Sequence, residues 1–140
     1  MALPTQLHLQ IVSADRSLVD ERVDEVEVPG VDGYFGVLPR HTPLLALLGH
    51  GELWYRQGQD KHYLAIANGF AEVLPDRVTI LAHVAETASE IDIVRAEAAM
   101  KRARERMSAG LSDIDFERAR VALLRSIIRL QVASHVRIRS

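Results

Sequence analysis

Fifteen of the 17 basic residues are arginines, and they collect at helical spacings late in the chain. Asp92, Arg95, Arg102 and Arg106 stand 3, 7 and 4 residues apart, and Arg118, Arg125 and Arg129 stand 7 and 4 apart. Each set therefore shares one face if its segment is helical. A guanidinium is a planar fork that holds oxygens in pairs, so such a face suits a phosphate chain. It suits an acidic partner surface or plain solvent equally well. The other reactive residues offer less. His8, His41, His50, His62, His83 and His135 are scattered, with no i, i+4 pairing beside carboxylates, which speaks against a metal site. His41, between Arg40 and Thr42, could act as a base but has no evident partner. There is no cysteine, hence no disulfide, thiolate zinc site or thiol nucleophile. Neither a Gly-x-Ser-x-Gly elbow nor a Gly-Lys-Ser/Thr phosphate loop occurs. Gly30, Gly33 and Gly36 are spaced by three, which is not a dinucleotide fingerprint, and read as turns between strands. No enzyme site is expected.

The elements that must carry these residues divide near position 87. All five prolines, seven of the eight glycines and six of the seven aromatics lie before residue 76. Residues 1–87 hold 6 basic and 12 acidic side chains, and residues 88–140 hold 11 and 7, so the two halves carry −6 and +4 of the overall −2. The modest total speaks against a nucleic-acid binder. In the first part Leu7, Leu9 and Ile11 alternate with polar residues, as do Val26 and Val28. Further strands are expected at 53–56, 63–67, 70–74 and 78–82, a spacing that suggests a β-sandwich or barrel. The second part, from Ser89 to Ser108 and from about Asp113 to His135, reads as two helices joined by a link containing Gly110. Their apolar stripes, Ala96, Met100, Ala103 and Met107, and Phe116, Ala119, Leu123, Ser126, Leu130 and Ala133, are thin and rich in small residues. Residues 89–96, SEIDIVRA, and 112–119, SDIDFERA, repeat one helix-start pattern with a serine in the N-cap position. The expected fold is α+β: an N-terminal antiparallel β-sandwich over 1–87 followed by an antiparallel two-helix hairpin over 88–140. No apolar run is long enough to span a bilayer, and the N-terminus lacks a signal peptide. A soluble intracellular protein is expected.

Three segments resemble a known family. PGVDGYFGVLPRHTPLLALLGHGEL is similar to a GxxGxxGVLPxHxPL signature, LAIANGFAEVLPDRVTILA to a second segment with Asn68 where many members have glycine, and the two helices to a helical tail. Together they resemble the epsilon-subunit family of bacterial F-type ATP synthases, over essentially the whole chain. The resemblance implies a non-catalytic rotor subunit whose sandwich binds the gamma subunit and the c-ring, with Gly30, Gly33, Gly36, Pro39 and His41 in the signature loop that faces them. It implies a tail that either folds as a hairpin or extends into the alpha/beta catalytic head and blocks ATP hydrolysis. It implies ATP as a regulatory ligand through an I/L-D-x-x-R-A motif: Ile91, Asp92, Arg95 and Ala96 match it, with Glu86 upstream and Arg102, Arg125 and Arg129 following. In that reading the arginines hold phosphates, while Glu86 and Asp92 orient the adenine or hold the arginines. It further implies a peripheral protein on the cytoplasmic face of the bacterial inner membrane. Two rival functions are a free-standing ATP-binding sensor built on the arginine faces and an enzyme using His41, His83 or Asp92.

Overall fold

The computed structural model describes residues 2–110 and 112–139, with the backbone alone for 137–139. It contains two compact units, residues 1–87 and 88–140. The first unit has seven strands: β1 (Leu7–Val12), β2 (Ser17–Val23), β3 (Glu25–Gly30), β4 (Gly33–Val37), β5 (Leu44–Gln57), β6 (Asp60–Leu74) and β7 (Arg77–Thr87). They hydrogen-bond in the order β2-β1-β7-β6-β5-β3-β4. All ladders are antiparallel save that of β1 with β7, which is parallel. The expected antiparallel sandwich thus holds with one exception, since β1 pairs with its neighbour β2 on one edge and with the last strand, β7, on the other. β2 packs back on β5, so the two halves of the sheet face one another over a shared aliphatic core that includes Leu7, Leu9, Val26, Leu53, Ile66 and Ile80.

The strand pattern differs from the sequence reading in instructive ways. Residues 63–67 and 70–74 belong to one strand, β6, and the strand expected at 53–56 begins much earlier, at Leu44. The apparent break is local backbone chemistry at Asn68 (φ 62°) and Gly69 (φ 126°). Inward residues on β6 are Leu64 and Ile66 before this point and Ala71 and Val73 after it. The same change from one parity to the other occurs on β5, from Leu48 to Leu53 and Tyr55, and on β7, from Ile80 and Ala82 to Ala85. Pairing stays continuous on both sides and is interrupted only at the row of Gly49, Asn68 and His83. All three strands therefore turn their pleat over together. Gly69 is obligatory there: a Cβ would lie 2.0 Å from the Leu81 carbonyl oxygen.

One end of the sandwich is closed by polar contacts. The Asp24 carboxylate accepts the Gly58 N–H at 2.6 Å and the Gln6 side-chain amide at 3.3 Å. Gln57 donates to Glu21 at 2.9 Å and to the Arg22 carbonyl at 3.0 Å, so the β5–β6 turn is tied to the β2–β3 corner. The Gly58 N–H, helped by Gln6 and Arg56, holds the Asp24 carboxyl below its ordinary value.

The second unit begins with a single 3-10 turn, Ala88–Glu90, followed by α1 (Ile93–Met107) and α2 (Asp113–Arg139). The two helices pack on each other and the 3-10 turn packs on α2, as in an antiparallel hairpin. Their buried residues are small, Ala96 and Ala103 on α1 and Ala119, Ser126 and Ala133 on α2, joined there by Ile128 and Val132. The Ser126 hydroxyl returns to the Ala122 carbonyl at 2.9 Å. Alanine burial contributes roughly one methyl group's worth each, about 0.8 kcal/mol, so this interface is weak for its length. Phe116, expected in the stripe, is exposed instead.

Two predictions follow from the sandwich. Gly69→Ala combines left-handed strain with a backbone clash and is expected to destabilise by about 3 kcal/mol or more, read by denaturant unfolding; a loss under about 1 kcal/mol would contradict the close approach. Because the folded-state pKa of Asp24 is depressed, its carboxylate contributes stability above the unfolded-state value, and that contribution is lost as the pH falls through the folded-state value. Asp24→Asn should therefore show a shallower loss of stability than the parent chain on acidification below about pH 4.

Candidate functional site

The IDIVRA segment lies at the start of the helical unit, and most of it builds the helix. The Asp92 carboxylate accepts the Arg95 backbone N–H at 3.0 Å, which makes Asp92 the N-cap of α1. Ile91 and Ala96 are buried at 7% and 0% exposure. The expected cap was Ser89, which instead sits in the 3-10 turn. A carboxylate is the better partner for the positive end of a helix, and burial of Ile91 fixes the turn before it. Asp92 consequently does not share a helical face with Arg95, Arg102 and Arg106, and it makes no ion pair with an arginine among the described residues.

The second copy of the pattern is capped in another register. Ser112 accepts the Asp115 N–H at 3.4 Å and donates to the Asp115 carboxylate at 3.0 Å, so here the serine is the cap, as expected. Ile114, the counterpart of Ile91, is 69% exposed. Near-identical strings thus start two helices three residues apart in phase.

Arg95, Arg102, Arg118 and Arg125 point into solvent, with no carboxylate partner among the described residues. Arg118 and Arg125 line one open groove of about 630 Å³ along α2, floored by Ile114, Val121 and Ala122 and bordered by Asp113 and Glu117. Arg129 is half-buried, one turn further on. Glu86 belongs to the other unit, near the end of β7 opposite Ala65.

In the sandwich, Gly30, Gly33, Gly36, Pro39 and His41 occupy the β3–β4 hairpin and the loop after it. Their roles differ. Gly33 has φ 131°. At Gly30 a Cβ would lie 2.8 Å from the Gly33 carbonyl oxygen. At Gly36 nothing lies within 4 Å and the backbone is ordinary, so nothing in the structure requires glycine there. Arg40 (φ 72°) turns the loop, and its N–H donates to the Pro75 carbonyl at 2.7 Å. His41 donates through Nδ1 to the Thr42 carbonyl at 2.6 Å, a loop-shaping contact rather than the partner of a general base.

The sequence reading missed an apolar surface. Leu47, Phe70 and Leu81 are register partners on β5, β6 and β7, and they are exposed by 54%, 48% and 52%. Leu45 and Val84 extend the exposed apolar surface. The signal was present: the run LLALL supplies apolar residues to both faces of one strand, which a sheet with one solvated face does not need. Rows of exposed large apolar residues mark interaction surfaces. No cluster of metal-ligating side chains occurs among the described residues.

Comparison with known proteins agrees with this two-part arrangement. The family described as "ATP synthase, Delta/Epsilon chain, beta-sandwich domain" matches residues 6–88, and "ATP synthase, Delta/Epsilon chain, long alpha-helix domain" matches residues 89–134. The chain is 49% identical over 128 residues to the ATP synthase epsilon chain of Syntrophobacter fumaroxidans, covering 91% of this chain and 96% of that one. It is 50% identical over 127 residues to the epsilon chain of Herpetosiphon aurantiacus, covering 91% and 93%. Among solved structures it resembles, with a TM-score of 0.83 and 26% identity, a chain in the cryo-EM structure of the Euglena gracilis mitochondrial ATP synthase, OSCP/F1/c-ring in rotational state 1, covering 96% of this chain and 85% of that one.

The glycines of the hairpin separate by experiment. Gly33→Ala is expected to cost about 1–3 kcal/mol in thermal or denaturant unfolding from positive-φ strain, and Gly36→Ala less than about 0.5 kcal/mol. Equal costs at the two positions would show that the hairpin backbone is not as described.

Proposed function

The chain belongs to the epsilon-chain family of the ATP synthase, non-catalytic components of the central stalk, and on that premise we propose that its sandwich docks on the gamma subunit and the c-ring while its helices regulate ATP hydrolysis. The observation that carries the reading is the exposed row Leu47, Phe70 and Leu81, with Leu45 and Val84 beside it. Apolar surface of this kind gains most when a partner removes it from water, about 25 cal/mol for each Å². The loop containing Gly30, Gly33, Pro39 and His41 lends a second, rigid contact region. In this role the chain is a peripheral component on the cytoplasmic face of the bacterial inner membrane, held there by its partners; no described helix is long and apolar enough to cross a membrane.

The regulatory part rests on the hairpin. Its alanine-rich interface is weak for its length, which suits an element that opens to reach the alpha/beta head and closes again. A ligand that binds only the closed form shifts that balance by its differential affinity. ATP is the proposed ligand: Arg95, Arg102 and Arg125 are unpaired among the described residues, and with Arg129 they supply several forks for a triphosphate. Asp92 contributes by starting α1 and thereby orienting Arg95, and Glu86 is the remaining acidic candidate.

Two measurements test this. In an epsilon-depleted catalytic head, residues 1–140 should suppress ATP hydrolysis and residues 1–87 should not; equal rates with both would remove the regulatory role from the helices. Arg125→Ala or Arg129→Ala should weaken ATP binding to the isolated chain by roughly 1.5–3 kcal/mol each, as for a hydrogen bond to a charged group. Unchanged affinity in both would reduce the IDIVRA segment to a helix start.

A further inference from the structure

A second cluster of charged side chains lies on the sandwich, on β1, β2 and β7. His8 on β1 is the register partner of Arg22 on β2 and of Arg77 on β7, so the three side chains stand in one row. Leu7 and Leu9 alternate into the core, which puts this row on the outer face. Here two permanent cations, one on each neighbouring strand, flank a histidine, and the carboxylates of Asp20 and Asp76 stand beside them. Asp76 reaches Arg77 only at 3.6 Å, between side chains more than half exposed, a pairing of little worth. Asp20 is engaged by His8 Nε2. Arg22 makes no ion pair among the described residues.

The row borders a polar pocket of about 390 Å³ that Thr5, Gln6 and the Asp76 carboxylate also line. We propose that this pocket is an oxyanion site that takes a phosphate group, with Arg22 and Arg77 as its forks on either side of His8. Arginine recognises tetrahedral oxyanions through paired N–H donors, and Arg22 and the weakly paired Arg77 have such donors to offer. The phosphate comes either from free inorganic phosphate or from a phospholipid headgroup. The turn that carries Asp76 is tied to the loop of Pro39 and His41 through the Arg40 N–H and the Pro75 carbonyl. The pocket residue Asp76 is therefore adjacent to the residue that bonds this loop. The site does not depend on the proposed docking or regulatory roles.

The test uses the full chain. Inorganic phosphate is titrated at constant ionic strength, with sodium chloride as the balance, while the His8 ring and the Arg22 and Arg77 side-chain resonances are followed by NMR. Saturable shifts at these groups are expected, with affinity reduced about tenfold in Arg22→Gln and in Arg77→Gln. Asp76→Asn, which removes the competing carboxylate, should raise affinity several-fold, a gain that a misfolded variant cannot produce. A parallel arm sediments the chain with phosphatidylcholine vesicles that contain or lack phosphatidic acid. Saturable phosphate shifts assign the site to the free anion. Co-sedimentation that needs phosphatidic acid and is lost in Arg22→Gln, without saturable phosphate shifts, assigns it to a lipid headgroup. Absent or linear, non-saturating shifts together with no vesicle binding, or affinities unchanged in both arginine variants, overturn the proposal.

Discussion

The sandwich depends on the place where three strands reverse their pleat together. At the row of Gly49, Asn68 and His83 the inward-facing parity changes on β5, β6 and β7 without any slip in pairing. Two left-handed residues in succession, Asn68 and Gly69, make the change possible, and the Leu81 carbonyl lies so close to Gly69 that no side chain fits. Asparagine is the non-glycine residue best suited to the first of these positions, since its short polar side chain tolerates left-handed backbone.

This reversal decides what the outer surface looks like. Had the alternation set by Leu64 and Ile66 continued, Phe70 would have pointed into the core and Ala71 outward. Reversed, Ala71 and Val73 fill the core and Phe70 stands outside between Leu47 and Leu81. An exposed aromatic between two leucines serves no purpose in a free sandwich. It gains meaning in a chain whose family works inside an assembly. The hairpin shows the complementary economy: small residues make a helix pair that holds together without being locked.

Much of this was legible in the sequence. The division at residue 87 showed in the positions of proline and glycine and in the sign of the charge, and the inner faces of β1 and β3 showed as strict alternation at Leu7, Leu9 and Ile11 and at Val26 and Val28. Elsewhere the local pattern misled. Asn68 and Gly69 look like a turn because left-handed residues usually make turns, whereas here continuous ladders on both sides carry the strand through them. β4 was hidden because GYFGV has the composition of a loop, and its strand geometry comes from pairing with β3. The two helix starts share a string but not a cap, because Ile91 finds a buried place and Ile114 does not. The arginine spacing placed Arg118 and Arg125 together correctly along α2. It grouped Asp92 with arginines that it serves only through the backbone of Arg95.

The central claim is that the outward row beside the pleat reversal is the docking face for the rest of the stalk. The most direct measurement is the affinity of the full chain for the gamma subunit, comparing the parent with a Phe70→Ser, Leu81→Ser double variant whose thermal unfolding matches the parent. The account predicts at least a tenfold loss of affinity with the fold intact, since two exposed anchors of roughly 1.5–3 kcal/mol each on full burial are removed. Parent-like affinity in the double variant would contradict it and move the docking face elsewhere on the sandwich.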